Sequence, residues 1–158
     1  MAELTPGDLA PNFELPRDGG GTVSLKGFAG HPVVLYFYPK DNTTGCTAEA
    51  IDFTALAPEF EKKGAVVIGM SADPVKSHDK FITKYGLTVI LASDEEAKVM
   101  TEYGVWKEKS MYGRSFMGVV RTTFLIGPDG RIIRIWDKVK VKGHAQEVLD
   151  AVGALAGA

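Results

Sequence analysis

Apolar residues gather in short runs along the chain, separated by stretches in which they recur every three or four positions. The first strong run is Val33-Val34-Leu35-Tyr36-Phe37-Tyr38, led by Pro32 and closed by Pro39; its β-branched and aromatic content predicts a buried strand. Residues 65–70 repeat the pattern, and 89–92 form a shorter version of it. Residues 122–126 and 132–136 are two more runs, joined by Gly127-Pro128-Asp129-Gly130, where the fixed proline φ and the permissive glycine predict a turn and hence an antiparallel hairpin. Helical spacing covers residues 47–60, 74–85, 93–103 and 144–155, the last with Val148, Leu149, Val152 and Leu155 on one face. Ser93 reads as an N-cap, with Asp94, Glu95 and Glu96 complementing the positive helix end. Pro58 lacks a backbone donor and predicts a kink or restart inside 47–60. Strand-helix alternation followed by a hairpin implies parallel pairing early and antiparallel pairing late. The predicted class is α/β: a mixed central sheet with helices on both faces. Ahead of it, residues 12–16 and 22–25 flank Asp18-Gly19-Gly20-Gly21 and read as an N-terminal hairpin extension. Residues 104–120 show little periodicity, so Trp106, Met111, Tyr112 and Phe116 are expected to pack over the sheet or to wall a pocket.

Composition narrows the function. A chain of 158 residues is one domain's length, so residues 1–158 are read as a single domain. The formal charge of −2 provides no net positive field for phosphates, which argues against nucleic acid as a partner. No apolar run approaches a membrane span, and the start Met1-Ala2-Glu3-Leu4-Thr5-Pro6-Gly7-Asp8 lacks the basic flank and apolar stretch of a signal peptide. A cytoplasmic protein is expected. His31, His78 and His144 lie apart without ligand spacing, so they are read as solvated or capping residues and no metal or cofactor is expected. The glycine cluster at 19–21 lacks the Lys-Ser/Thr ending of a phosphate cradle.

One cysteine, Cys46, cannot close an intramolecular disulfide, and Thr43 stands where a CxxC reductase needs its first cysteine. The segment Tyr38-Pro39-Lys40-Asp41-Asn42-Thr43-Thr44-Gly45-Cys46 leaves a buried strand and opens a helix. There the unpaired N–H groups and the positive dipole end favour thiolate over thiol. Cleaving an O–O bond also needs a hydroxyl and a fixed cation to orient the peroxide and to stabilise the departing oxyanion. Thr43 supplies a hydroxyl from the loop, where it also suits a turn or cap. Arg121, immediately before the strand 122–126, supplies the cation if that strand neighbours the one ending at Tyr38. Glu49 suits the first helical turn as a structural residue and equally suits the orientation of a guanidinium.

Pro39-x-x-x-Thr43-x-x-Cys46, then Thr47-x-Glu49, with Arg121-Thr122-Thr123-Phe124-Leu125-Ile126 later, closely resembles the peroxiredoxins, in the bacterioferritin comigratory protein or peroxiredoxin Q branch. Phe13-Glu14-Leu15, Tyr36-Phe37-Tyr38-Pro39-Lys40-Asp41 and Tyr103-Gly104-Val105-Trp106 extend the likeness over nearly the whole chain. The resemblance implies a thioredoxin-like fold and Cys46 as the peroxidatic cysteine. It implies Thr43 and Arg121 as activating and peroxide-binding partners and Pro39 as a shield of the pocket. It implies a thioredoxin-dependent peroxidase acting on hydrogen peroxide and alkyl hydroperoxides, in which a Cys46 sulfenic acid is recycled by an external thiol: thioredoxin, glutaredoxin or glutathione.

Two departures stand out. Many members carry a resolving cysteine five residues after the peroxidatic one or on the following helix; this chain has Ile51 at the first place and no cysteine between 74 and 85. It reads as a one-cysteine monomer. Thr44 stands where the family often has proline. A rival reading is a non-enzymatic redox sensor, which needs only the reactive thiol and not the Pro, Thr and Arg set around it.

Overall fold

Strand β3 (Val33–Phe37) is the centre of the architecture, and its alternation sorts the core into two halves. Val33, Leu35 and Phe37 join one apolar cluster, whereas Val34 and Tyr36, with Tyr38 just beyond the strand, join the other. This is the period-two exposure of a strand buried on both faces. A computed structural model describes residues 3–156. Met1 and Ala2, where the segment read for a signal peptide begins, lie outside it.

Before β3 come β1 (Glu14–Pro16) and β2 (Thr22–Ser24), an antiparallel hairpin as expected, and one turn of 3-10 helix at Lys26–Phe28. After it come α1 (Thr44–Ala55), α2 (Ala57–Lys62), β4 (Val66–Ser71), α3 (Val75–Tyr85), β5 (Ile90–Ser93) and α4 (Lys98–Glu102). The hairpins β6 (Trp106–Met111) with β7 (Arg114–Val119) and β8 (Thr122–Ile126) with β9 (Ile132–Trp136) follow, and α5 (His144–Ala156) ends the order. The main sheet runs β5-β4-β3-β8-β9, parallel on the β4 side of β3 and antiparallel on the β8 side. It is the predicted mixed sheet. Helices α1, α2, α3 and α5 cover the face that holds Cys46, and α4 with the N-terminal hairpin covers the other. Close packing under α1 depends on Gly69, where a Cβ would stand 2.7 Å from Tyr36 Cζ. Among the described residues no helix is long and apolar enough to cross a membrane.

Four expectations change. The first helix begins at Thr44 instead of residue 47, because Thr43 takes the extended cap position and its carbonyl accepts the Thr47 N–H at 2.8 Å. It then stops at Ala55 and restarts with Pro58 in the first turn of α2, where the missing donor costs nothing. The helix read over 93–103 shrinks to α4. Ser93 ends β5 and donates to the Asp73 carbonyl at 2.6 Å, so it caps no helix; Ala97 sits in the left-handed region, and Asp94 Oδ2 receives the Met100 N–H at 2.8 Å. The stretch 104–120 is the β6–β7 ribbon, paired only with itself. Trp106 packs against the first cluster, but Met111, Tyr112 and Phe116 are exposed, Tyr112 at 97%, so they do not pack over the sheet. Finally, only His31 is exposed; His78 and His144 are buried, which corrects their reading as solvated groups.

Candidate active site

The antiparallel register pairs Phe37 with Thr122, so Arg121 falls one step beyond, across from the end of β3 where the chain turns toward α1. That pairing brings together two residues 75 apart in sequence. Arg121 Nη2 donates to Cys46 Sγ at 3.2 Å, and its Nη1 donates to Glu49 Oε1 at 2.6 Å. Cys46 occupies the first turn of α1 and is 2% exposed. Among the described residues no side chain caps the helix start, so its leading N–H groups are left to serve a negative charge at or beside the sulfur.

Glu49 is the residue on which the cation is anchored, the guanidinium-orienting alternative of the two considered for it. It is 1% exposed, and its Oε2 has no hydrogen-bond partner among the described residues. Burial pushes its carboxyl up to about 7, with Arg121 pulling the other way. Burial works against the charge of Arg121, yet Glu49 and Cys46 outweigh it and hold the guanidinium above its ordinary value. Arg121 is therefore a fixed cation facing two groups able to bear negative charge. Gly45 lets it approach: a Cβ at that position would lie 3.3 Å from Nη2. Sequence reasoning missed this glycine, because a glycine in the first turn of a helix carries no signal of its own and its use here appears only once Arg121 arrives across the sheet.

Thr43 stands at the N-cap, but its hydroxyl donates to the Lys40 carbonyl at 2.8 Å. Its proton thus goes to the loop, leaving the oxygen lone pairs free. Pro39 is exposed at the start of the same loop.

Beneath the loop lies a buried network that the sequence did not reveal. Asp41 accepts from Tyr38 Oη at 2.5 Å and from Ser77 Oγ at 2.8 Å, and it lies 2.7 Å from His78 Nδ1. His78 Nε2 faces the Ala92 carbonyl at 3.0 Å. A carbonyl accepts only, so Nε2 carries a proton. Burial disfavours charge on this imidazole, but the hydrogen bond and charge of Asp41 prevail and raise it above the usual histidine value. The signal was present in the spacing: His78 shares a helix face with Phe81, Ile82 and Tyr85. His144, in contrast, meets Thr123 Oγ1 at 2.8 Å and is held below its ordinary value by burial.

The likeness to known proteins agrees with this geometry. Residues 6–135 match the AhpC/TSA family. Peroxiredoxin Bcp of Xanthomonas campestris is 49% identical over 147 residues, covering 92% of each chain, and Peroxiredoxin Bcp of Bacillus subtilis is 46% identical over 146 residues, covering 92% of this chain and 93% of its own. Among solved structures, a peroxiredoxin Q cysteine-to-serine mutant from Xylella fastidiosa superimposes with a TM-score of 0.93 at 43% identity over 99% of both chains. The bacterioferritin comigratory protein of Xanthomonas campestris, solved in work on its alkyl peroxide reduction activity, gives 0.87 at 48% identity, covering 91% of this chain and 92% of its own. The fold is that of the thioredoxin-like peroxiredoxins. This chain belongs to the AhpC/TSA family, within the Bcp or peroxiredoxin Q branch.

The elevated Glu49 carboxyl has a consequence for stability. In the folded chain Glu49 keeps its proton up to about pH 7, whereas unfolding returns it to a carboxyl of about 4.5. Its protonation therefore stabilises the fold fully below about 4.5, and this contribution is lost as the pH rises through 7. Glu49→Gln, which keeps an oxygen acceptor for Arg121, should remove that pH dependence. Thermal melts from pH 5 to 8 should show the wild type losing about 2–3 kcal/mol relative to the variant. Parallel pH profiles for the two proteins would contradict the assignment.

Proposed function

We propose that the chain is a thiol peroxidase that reduces hydrogen peroxide and alkyl hydroperoxides through a sulfenic acid at Cys46, in the cytoplasm, and that an external thiol restores it. The observation that carries this reading is the Arg121 guanidinium, 3.2 Å from the Cys46 sulfur at a helix start and anchored on Glu49. The Cys46 thiolate attacks the terminal oxygen of R–O–OH, an S–O bond forms as the O–O bond breaks, and the peroxide proton remains on the sulfenic acid. The departing alkoxide or hydroxide takes a proton from solvent. Arg121 stabilises that leaving oxygen, and the Thr43 oxygen, with its lone pairs free, accepts from the peroxide O–H. Pro39, at the loop entrance, shields the pocket. A lone cysteine with no partner suits a reducing compartment.

Catalytic loss of peroxide in the presence of excess thiol tests this. Many turnovers per chain are expected with hydrogen peroxide and with an alkyl hydroperoxide. Loss of a single equivalent per chain, with no recycling by thioredoxin, glutaredoxin or glutathione, would favour the redox-sensor reading instead.

Because Ile51 replaces a resolving cysteine, the sulfenic acid has no thiol in its own chain and is open to further oxidation. Ile51 is exposed on α1. Residues five apart on an intact helix do not share a face, so Ile51→Cys should close a disulfide with Cys46 only as the helix unwinds locally. The variant should accumulate several-fold less sulfinic acid than the wild type under excess peroxide, read by intact-mass spectrometry. Equal overoxidation would show that α1 does not open on the timescale of turnover.

A further inference from the structure

Beside the loop that carries Thr43 lies a cavity of about 400 Å3 between that loop and helix α3. Its lining includes Asn42, Phe81 and the row Lys76, Lys80 and Lys84, which recur at intervals of four and so stand on one helix face. All three lysines are exposed, and among the described residues no carboxylate lies within ion-pair distance of any of them. Lys84 has a neutral neighbour, Asn42 Oδ1 at 3.5 Å. The one acid in the lining, Asp41, is already committed to His78, Ser77 and Tyr38. The cavity is therefore a concave cationic surface on a chain whose net charge is −2, and its size is that of a small-molecule site.

Its position ties it to Cys46. Asn42 is the residue before the helix cap Thr43, and Tyr85 Oη fixes it by donating to its Oδ1 at 2.7 Å. Cys46 lies four positions beyond Asn42, a span of at most about 14 Å. Phe81, on the cavity wall, belongs to the same packed cluster as Cys46. A tripeptide of the glutathione class carries its thiol on the middle residue and a carboxylate at each end, so a carboxylate held by the lysine row leaves the sulfur a reach of about half the extended tripeptide toward Cys46.

We propose that this lysine-lined cavity binds a low-molecular-weight thiol bearing carboxylates, of the glutathione class, and that the bound thiol takes the place of the missing resolving cysteine. The proposal rests on the sulfenic acid chemistry inferred for Cys46. In the step it supplies, the thiol sulfur attacks the Cys46 sulfenic acid, an S–S bond forms, the S–O bond breaks, and water leaves with the thiol proton. A second thiol, free or carried by a protein reductant, then attacks the mixed disulfide on the small thiol's sulfur and releases Cys46 as thiolate. The carboxylates pair with the ammonium groups while the apolar Phe81 wall takes the stem of the ligand.

The test begins with the chain oxidised by one equivalent of hydrogen peroxide and verified by mass spectrometry, so that failure of Cys46 to oxidise is seen before any thiol is added and overturns the peroxidase reading itself. Reduced glutathione, glutathione dimethyl ester, 2-mercaptoethanol or reduced thioredoxin is then added, and mixed-disulfide formation is timed in the wild type and in Lys76→Gln/Lys80→Gln/Lys84→Gln. Exposed ion pairs are individually weak, about a factor of two each. The triple variant should therefore lose about tenfold in rate with glutathione, and 2-mercaptoethanol should react alike with both proteins. In the wild type the dimethyl ester should be slower than glutathione, with the difference shrinking at high salt. Equal glutathione rates in the two proteins would overturn the proposal, as would a loss shared with 2-mercaptoethanol. A variant that lost rate only with thioredoxin would also overturn it, and would assign the surface to an acidic protein.

Discussion

Cys46→Ser is expected to reduce peroxide turnover to the level of the buffer while the chain melts within a few degrees of the wild type. Serine keeps nearly the same volume in a site that is 2% exposed and still accepts the Arg121 N–H, so the change in stability should be about 1 kcal/mol. What disappears is the chain's one thiol, the nucleophile of the proposed reaction, whereas a serine hydroxyl beside one cation stays protonated at neutral pH. Peroxide consumption by the purified variant, followed alongside its melting curve, checks both halves. Substantial residual turnover would move the chemistry to another residue.

Arg121→Ala should give the second largest effect. The guanidinium faces the Cys46 sulfur at 3.2 Å and is held on Glu49 at 2.6 Å, so in the proposed reaction it would be in place before the leaving oxygen develops charge. Losing a preorganised donor of this kind costs about 2–4 kcal/mol, or roughly 30-fold to nearly 1,000-fold in rate. Alanine also leaves Glu49 buried with neither oxygen partnered, which deepens the preference of that carboxyl for its proton. Stopped-flow oxidation with hydrogen peroxide measures the loss directly. Thr43→Val should act in the same direction by removing the hydroxyl at near-constant volume. Unchanged rates in both variants would show that the peroxide is held elsewhere.

Much of the fold was legible because its central strands are buried on both faces and say so in composition: β3, β4 and β8 are runs of apolar and β-branched residues with few interruptions. The restart at Pro58 was legible for the equally local reason that proline cannot donate. Elements that draw their stability from elsewhere were not. The β6–β7 ribbon exposes most of both faces, so its strands carry little alternation to read. Helix α4 was overestimated because the Ser93 hydroxyl goes to the distant Asp73 carbonyl, while Asp94 reaches forward to the Met100 N–H in the first turn of α4, so the helix starts at 98 and not at 93.

The candidate site divides along the same line. Cys46 and Thr43 lie within one strand-loop-helix unit, where spacing alone places them near a helix start. Arg121 depended on a pairing between β3 and β8 that the sequence could only pose as a condition, and the register of Phe37 with Thr122 meets it. The partnership of Glu49 with Arg121, the close approach over Gly45, and the Asp41–His78 pair all join elements distant in sequence. No local pattern encodes such contacts, although the place of His78 on the apolar face of α3 was a usable hint that it is buried.

The central claim is that peroxide oxygen goes to one atom, the Cys46 sulfur. Mass spectrometry of the chain after one equivalent of hydrogen peroxide, with dimedone present to trap sulfenic acid and with the digest mapped residue by residue, tests it most directly. The account predicts a monomeric chain carrying a single dimedone adduct at Cys46, and a fully reduced Cys46 when thiol is added before the trap. Peroxide consumed with Cys46 unmodified, or a Cys46-to-Cys46 disulfide dimer as the main product, would contradict it.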